Sequence, residues 1–206
     1  MDAPGKREEL HDMARRIASV GYYVMLPNLY YRRVAEFILD GTSAGREVMF
    51  EHMHSLSNQM VVEDCRELLE DAKNDKVASK GYVGAVGYCM SGPFVFSAAS
   101  ILNDRLRASA SIHGVNLFSE NENSPHLNSH RIKGEIYFGC AENDEYAPTD
   151  MVEGLKKYLD RQNINHRVEW YPKTGHGFVF PNRAGLYDKL SAEKHWCRLF
   201  SLFDRN

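Results

Sequence analysis

The stretch GAVGYCMSGP, residues 84–93, places Cys89 between an apolar run ending near Val86 and a second run, Gly92 to Leu102, of small and apolar residues. The first run reads as a strand over Tyr82 to Val86 and the second as a buried helix. Gly87 and Ser91 stand two residues either side of Cys89, giving the form small-x-nucleophile-x-small. In a sharp strand-to-helix turn, a larger side chain at either flanking position would clash. The strain lifts the central side chain at the helix N-terminus. There the unpaired N–H groups and the helix dipole favour a thiolate and an oxyanion. Two other readings stand beside this one. Free cysteine is often a small buried hydrophobe, and Ser91 is a rival nucleophile in the poorer frame of Cys89 and Pro93.

Working outward, Glu8 to Val20 has apolar residues at helical spacing and ends at Gly21. Tyr22 to Leu26 reads as a short buried strand stopped by Pro27. Residues 32–58 are mixed and polar, with two helical stretches expected. Val61 to Ala72 is an amphipathic helix. Strands follow over Ala108 to Ile112, Glu135 to Gly139 and Arg167 to Tyr171. Helices are expected over Pro148 to Gln162, with proline near the start, and Ala184 to Phe203. The strands are short and apolar on both faces and alternate with helices. That pattern predicts an α/β fold: a mostly parallel sheet with helices on both faces, in one domain over residues 1–206.

The 206 residues are 43% hydrophobic and 26% charged, with a net charge of −3. This balance points away from nucleic acid and anionic membranes, which call for a basic patch. The four cysteines have no zinc-site spacing, so no metal is expected. The opening MDAPGKREEL lacks the apolar core of a secretory signal, and no apolar run approaches the ~20 residues that span a bilayer. A cytoplasmic location with reduced thiols is the expectation. Cys65, Cys140 and Cys197 are expected to be buried.

In parallel sheets ligands gather at the carboxyl ends of strands, so residues just after strands carry the most information. Asp144, in GCAENDEYAP, is placed to orient an imidazole, although Glu142 and Glu145 beside it also suit a solvated acidic loop. His176, in YPKTGHGFVFP, has glycine on both sides. Among nine histidines it alone has that setting, with His113 (SIHG) as the competing base. His126 and His130 are expected to be solvated. The order nucleophile, acid, histidine is that of the α/β-hydrolase triad.

At these residues the chain resembles the dienelactone hydrolase family, within the α/β-hydrolase fold. The matching stretches are DAPG (2–5), PNLYYR (27–32), GYCMSG (87–92), ENDEYAP (142–148) and GHGF (175–178). They run in the family's order across nearly the whole chain. The resemblance implies a Cys89–His176–Asp144 triad that hydrolyses a small ester or lactone without cofactor or metal. It implies backbone N–H groups of Met90 and of the loop near Ala3 as the oxyanion hole. Asp2 matches a family glutamate that contacts the resting thiol, here one methylene shorter. Tyr30 lies in a matched motif, and Arg46 matches the first of two family arginines for a substrate carboxylate. Phe180 stands where the second would fall, so a less acidic ester or lactone is as good a candidate as a dienelactone. Partners are a small-molecule substrate and, at most, a second copy: a monomer or homodimer. The family has three strands before its DAPG-like loop, and this chain opens at that loop. The expectation is therefore an N-terminally short fold, with a truncated or decayed, non-catalytic α/β-hydrolase-like binding protein as the alternative function. A redox role for Cys89 has no CxxC or nearby resolving cysteine behind it.

Overall fold

The computed structural model describes residues 1–206 as two compact units, 1–80 and 81–206. The first is helical. In α1 (Glu8–Ala18), Leu10, Met13 and Ile17 recur at helical spacing and are buried; Glu8 and Glu9 open the helix and Arg15 and Arg16 close it, complementing the dipole. α2 (Ser43–His54) starts at Thr42, whose hydroxyl accepts the Gly45 N–H at 2.9 Å. α3 (Asn58–Asn74) starts at Ser57, which accepts the Met60 N–H at 3.2 Å.

Two expectations fail in this unit. Residues 32–58 hold one helix, not two. Ile38 in the intervening segment is 77% exposed and Gly41 takes φ +79, so the segment has neither an apolar face to bury nor a helical backbone at its end. Tyr22 to Leu26 forms no strand either. A ladder requires a second strand, and residues 1–80 hold none.

The second unit is a parallel α/β sheet. Its elements are β1 (Val83–Tyr88), α4 (Gly92–Ile101), β2 (Leu106–Ile112), β3 (Glu135–Asn143), α5 (Thr149–Arg161), β4 (His166–Gly175) and α6 (Lys189–Asp204). The strand order is β1-β2-β3-β4, all pairs parallel. The alternation along β1 shows both faces covered. A Cβ on Gly84 would meet the Phe203 ring of α6 at 2.6 Å, while one on Gly87 would meet Val95 of α4 at 2.8 Å. Phe96 of α4 packs edge-on against Phe138 of β3, ring centroids 5.2 Å apart. Ile112, Ile136, Leu155 and Leu159 complete a fully buried core.

α6 buries Ala192, His195, Trp196, Leu199 and Leu202 along one face. Cys197 falls a third of a turn off that face and is exposed, contrary to expectation, whereas Cys140 is buried and Cys65 half-buried. Burial pushes the Cys140 thiol up to about 12 and the Cys65 thiol up to about 11, so neither is a ready nucleophile. Glu169 ties α6 to β4. Burial alone would raise its carboxyl, but hydrogen bonds from Arg198, Lys194 and Tyr137, with Arg167 nearby, pull it down to about 2.

Candidate active site

Each strand ends one residue before a side chain with chemistry to offer. β1 precedes Cys89, β2 precedes His113, β3 precedes Asp144 and β4 precedes His176. The ladder pairs Tyr88 with Ile112 and Asn143 with Gly175. Parallel register therefore delivers all four residues to one end of the sheet. The strands run further than the sequence reading gave them, to Asn143 and Gly175, because their last residues are polar or glycine.

Cys89 opens a 3-10 turn, Cys89–Ser91, that leads directly into α4. Its φ is +54, a left-handed conformation that residues with a Cβ rarely adopt. A Cβ on Gly87 would lie 2.1 Å from the Ser91 carbonyl oxygen, which is why the first small position is glycine. The second constraint falls on Gly92 rather than on Ser91. A Cβ there would sit 2.5 Å from Gly114 Cα and 2.5 Å from Ser111 Oγ. Ser91 itself is 4% exposed, whereas Cys89 is half-exposed, so the turn presents the sulfur and hides the hydroxyl.

Asp144 is buried between exposed Glu142 and Glu145. Its Oδ1 accepts the Tyr146 and Ala147 N–H groups at 3.0 and 3.2 Å. His176 Nδ1 lies 2.9 and 2.8 Å from its two carboxylate oxygens. With Nδ1 so committed, Nε2 is left for the Cys89 thiol, which lies near enough to raise the ring's pKa. A bulge in β4 sets the ring's place. Between the pairs Ala141–Tyr171 and Asn143–Gly175, β4 carries two extra residues. Lys173 in the bulge takes φ +60 and donates its N–H to Glu142 Oε2 at 2.7 Å, and Thr174 Oγ1 donates to the Tyr171 carbonyl at 2.7 Å. Glu142 thus fastens the segment that aims the histidine.

Burial by itself would lower the His176 imidazole. The hydrogen bonds to Asp144 and Cys89 outweigh it and raise the group to about 9. The imidazolium is thereby favoured by the folded state. Its contribution to stability is complete below the ordinary value of about 6.5 and is lost as pH rises through about 9. An NMR titration of His176 should show this high midpoint. Asp144→Asn removes the principal raising partner and should bring the midpoint down; an unmoved midpoint would mean the carboxylate does not hold the ring.

The other residues singled out from sequence fall in two places. His113 is wholly buried and its ring is 4.7 Å from that of His176. His126, expected to be solvated, is buried: Ser124 Oγ lies 2.7 Å from its Nδ1, and Phe118 and Tyr158 pack on its ring. His130 is exposed. Asp2, Ala3, Tyr30 and Arg46 belong to the first unit. Asp2 is fully buried and ion-paired with Arg7, which also holds Glu9. The Tyr30 hydroxyl donates to the Ala3 carbonyl at 2.7 Å, and Arg46 is exposed on α2. Met90 is buried in the turn after Cys89. Sequence reasoning passed over Tyr146, whose ring packs 4.9 Å from that of His176 while the side chain stays 56% exposed. The available signal was a large aromatic two residues after the acid in a polar loop.

Comparison with known proteins identifies the family and the fold. The sequence profile of the dienelactone hydrolase family matches residues 1–206. A Synechocystis sp. protein assigned as a carboxymethylenebutenolidase is 25% identical over 202 residues, covering 97% of this chain and 81% of the relative. The carboxymethylenebutenolidase of Pseudomonas putida is 24% identical over 173 residues, covering 84% and 70%. The crystal structure of a Klebsiella pneumoniae protein assigned to the dienelactone hydrolases superposes with a TM-score of 0.86 at 22% identity, over 100% of this chain and 84% of that one. With a parallel sheet of the α/β-hydrolase kind and a family match from the first residue to the last, the chain belongs to the dienelactone hydrolase family.

Proposed function

We propose that the chain hydrolyses a small ester or lactone through a Cys89–His176–Asp144 triad and a thioester acyl-enzyme. The observation that carries this reading is the pairing of His176 Nδ1 with the Asp144 carboxylate at 2.8 Å, at the same end of the sheet as the strained turn that presents Cys89. Asp144 holds the ring in the tautomer with Nδ1–H, leaving Nε2 to take the thiol proton. The sulfur attacks the carbonyl carbon, and the backbone N–H of Met90 is assigned to the developing oxyanion. A base that keeps its proton up to about pH 9 then has it to give to the leaving alcohol. Collapse expels the alcohol and leaves an acyl–sulfur bond. Water, deprotonated by Nε2, attacks the thioester, and the sulfur departs as thiolate with the acid as second product.

The reading places the protein in the cytoplasm, acting on a small molecule as a monomer or homodimer; no helix is long and apolar enough to cross a membrane. The test is a rapid-mixing assay with p-nitrophenyl acetate. The expected result is a burst of nitrophenolate of one equivalent per chain, with the acetyl group found on the Cys89 peptide by mass spectrometry. Turnover with the acyl group on any other side chain would sink the assignment.

A further inference from the structure

His113 takes no part in the chemistry above, yet the fold treats it as it treats the three residues that do. It is the first residue beyond its strand, like Cys89, Asp144 and His176. Its backbone bends to φ +38, and its N–H donates to the Gly139 carbonyl of β3 at 2.7 Å, which pins the Cα at the strand end. The side chain has no exposure, and neither ring nitrogen has a hydrogen-bond partner within the protein. A buried imidazole with both nitrogens idle and a left-handed backbone is costly twice over. Costs of that kind concentrate at functional sites.

The ring's neighbours show what the cost supports. Tyr88, Phe178 and Phe180 surround it at centroid distances of 6.1, 5.9 and 5.6 Å. Its closest ring is His176, at 4.7 Å and an interplanar angle of 67°. Tyr146 approaches His176 at 4.9 Å and 60°. Two rings therefore brace the imidazole of His176, one of them buried and one half in solvent.

We propose that His113 is a positioning residue for His176, a neutral buried ring whose edge-to-face contact keeps that imidazole aligned between Asp144 and Cys89. This rests on the reading of His176 as the base. Neutrality matters because His176 carries a positive charge in the working cycle. Burial drives the His113 imidazole well below its ordinary range, and the nearby cationic groups push the same way: His176 in the loop after β4, Arg183 beyond it and His195 on α6. Tyr88 of β1 faces it as well, through its ring. On the His176 side, Asp144, Cys89 and Tyr146 complete the surroundings.

His113→Leu and His113→Phe decide the matter, since both fill the pocket and keep it apolar. Without the ring, His113→Leu should lose about 10-fold in kcat for p-nitrophenyl acetate with KM within twofold, because alignment rather than binding is impaired. The NMR midpoint of His176 should fall below that of the wild type as its hold on Asp144 loosens. His113→Phe restores an aromatic edge and should rescue most of both. A leucine variant with wild-type kcat and an unmoved His176 midpoint overturns the proposal, and so does a folded phenylalanine variant as impaired as the leucine one. The NMR reading needs no turnover. A chain with no esterase activity but a displaced midpoint in His113→Leu would defeat the hydrolase reading and leave the positioning role standing.

Discussion

Cys89→Ala is expected to lower kcat for an activated ester by about 10⁴-fold or more, with the fold intact. Removing the nucleophile of a triad leaves only binding and oxyanion stabilisation, and the measured cost in such sites is of that order. At 1.36 kcal/mol per decade, 10⁴-fold corresponds to about 5.5 kcal/mol of transition-state stabilisation. The side chain is small and only half-buried, so thermal unfolding should change little. Cys89→Ser is the sharper companion. It keeps a nucleophilic atom in the same turn but offers a hydroxyl, which is far harder to deprotonate than a thiol. Because His176 is set high, near 9, it suits a partner that yields its proton readily. The serine variant should sit between the alanine variant and the wild type, about 10²-fold down. Full activity in Cys89→Ala would end the triad reading, because Ser91 is hidden and Cys140 is held protonated.

Gly87→Ala should be the most damaging single change to the turn itself. The added methyl would meet the Ser91 carbonyl oxygen at 2.1 Å and its carbon at 2.6 Å, and both are backbone atoms that cannot swing aside. The turn must open or β1 must shift. Overpacking against fixed backbone costs about 3 kcal/mol, which for a chain of this size lowers Tm by roughly 10 °C. Any protein that remains folded should have lost its activity, since Cys89 rides on that turn. Gly134→Ala supplies the contrast. Its methyl would lie 2.0 Å from the Arg107 carbonyl oxygen, at the opposite end of the sheet. It should destabilise comparably while the folded fraction keeps its turnover. Comparable Tm with retained activity in Gly87→Ala would show that the turn adapts and that glycine is not required there.

The site was easier to read from sequence than the elements around it, for a physical reason. A residue that must leave a strand at a fixed point needs small neighbours, and Gly87, Gly175 and Gly177 announce Cys89 and His176 in the bare sequence. Asp144 had no such frame. Its burial between exposed Glu142 and Glu145 follows from the N–H groups of Tyr146 and Ala147, which only the folded turn brings together. His113 reads from sequence as a rival base and His126 as a solvated residue, and only packing shows both to be buried. Tyr22 to Leu26 has every local mark of a strand. Strandedness is a property of pairs, and no window of one sequence contains the partner. The bulge in β4 is equally invisible, because two extra residues against a neighbour exist only relative to that neighbour.

That bulge separates two kinds of tolerance to change. The spacing of Asp144 and His176 is measured along the β3–β4 ladder, not along the 32-residue-apart positions they hold in the chain or the loops that follow them. The exposed segment beyond Phe180 can lengthen, shorten or change composition with the hydrogen-bonded pair in place. A single-residue insertion or deletion within residues 171–175 has no such freedom: it shifts the histidine out of register with Asp144 in one step. Variation in this protein's lineage should therefore be gradual in its loops and all-or-none in that short segment.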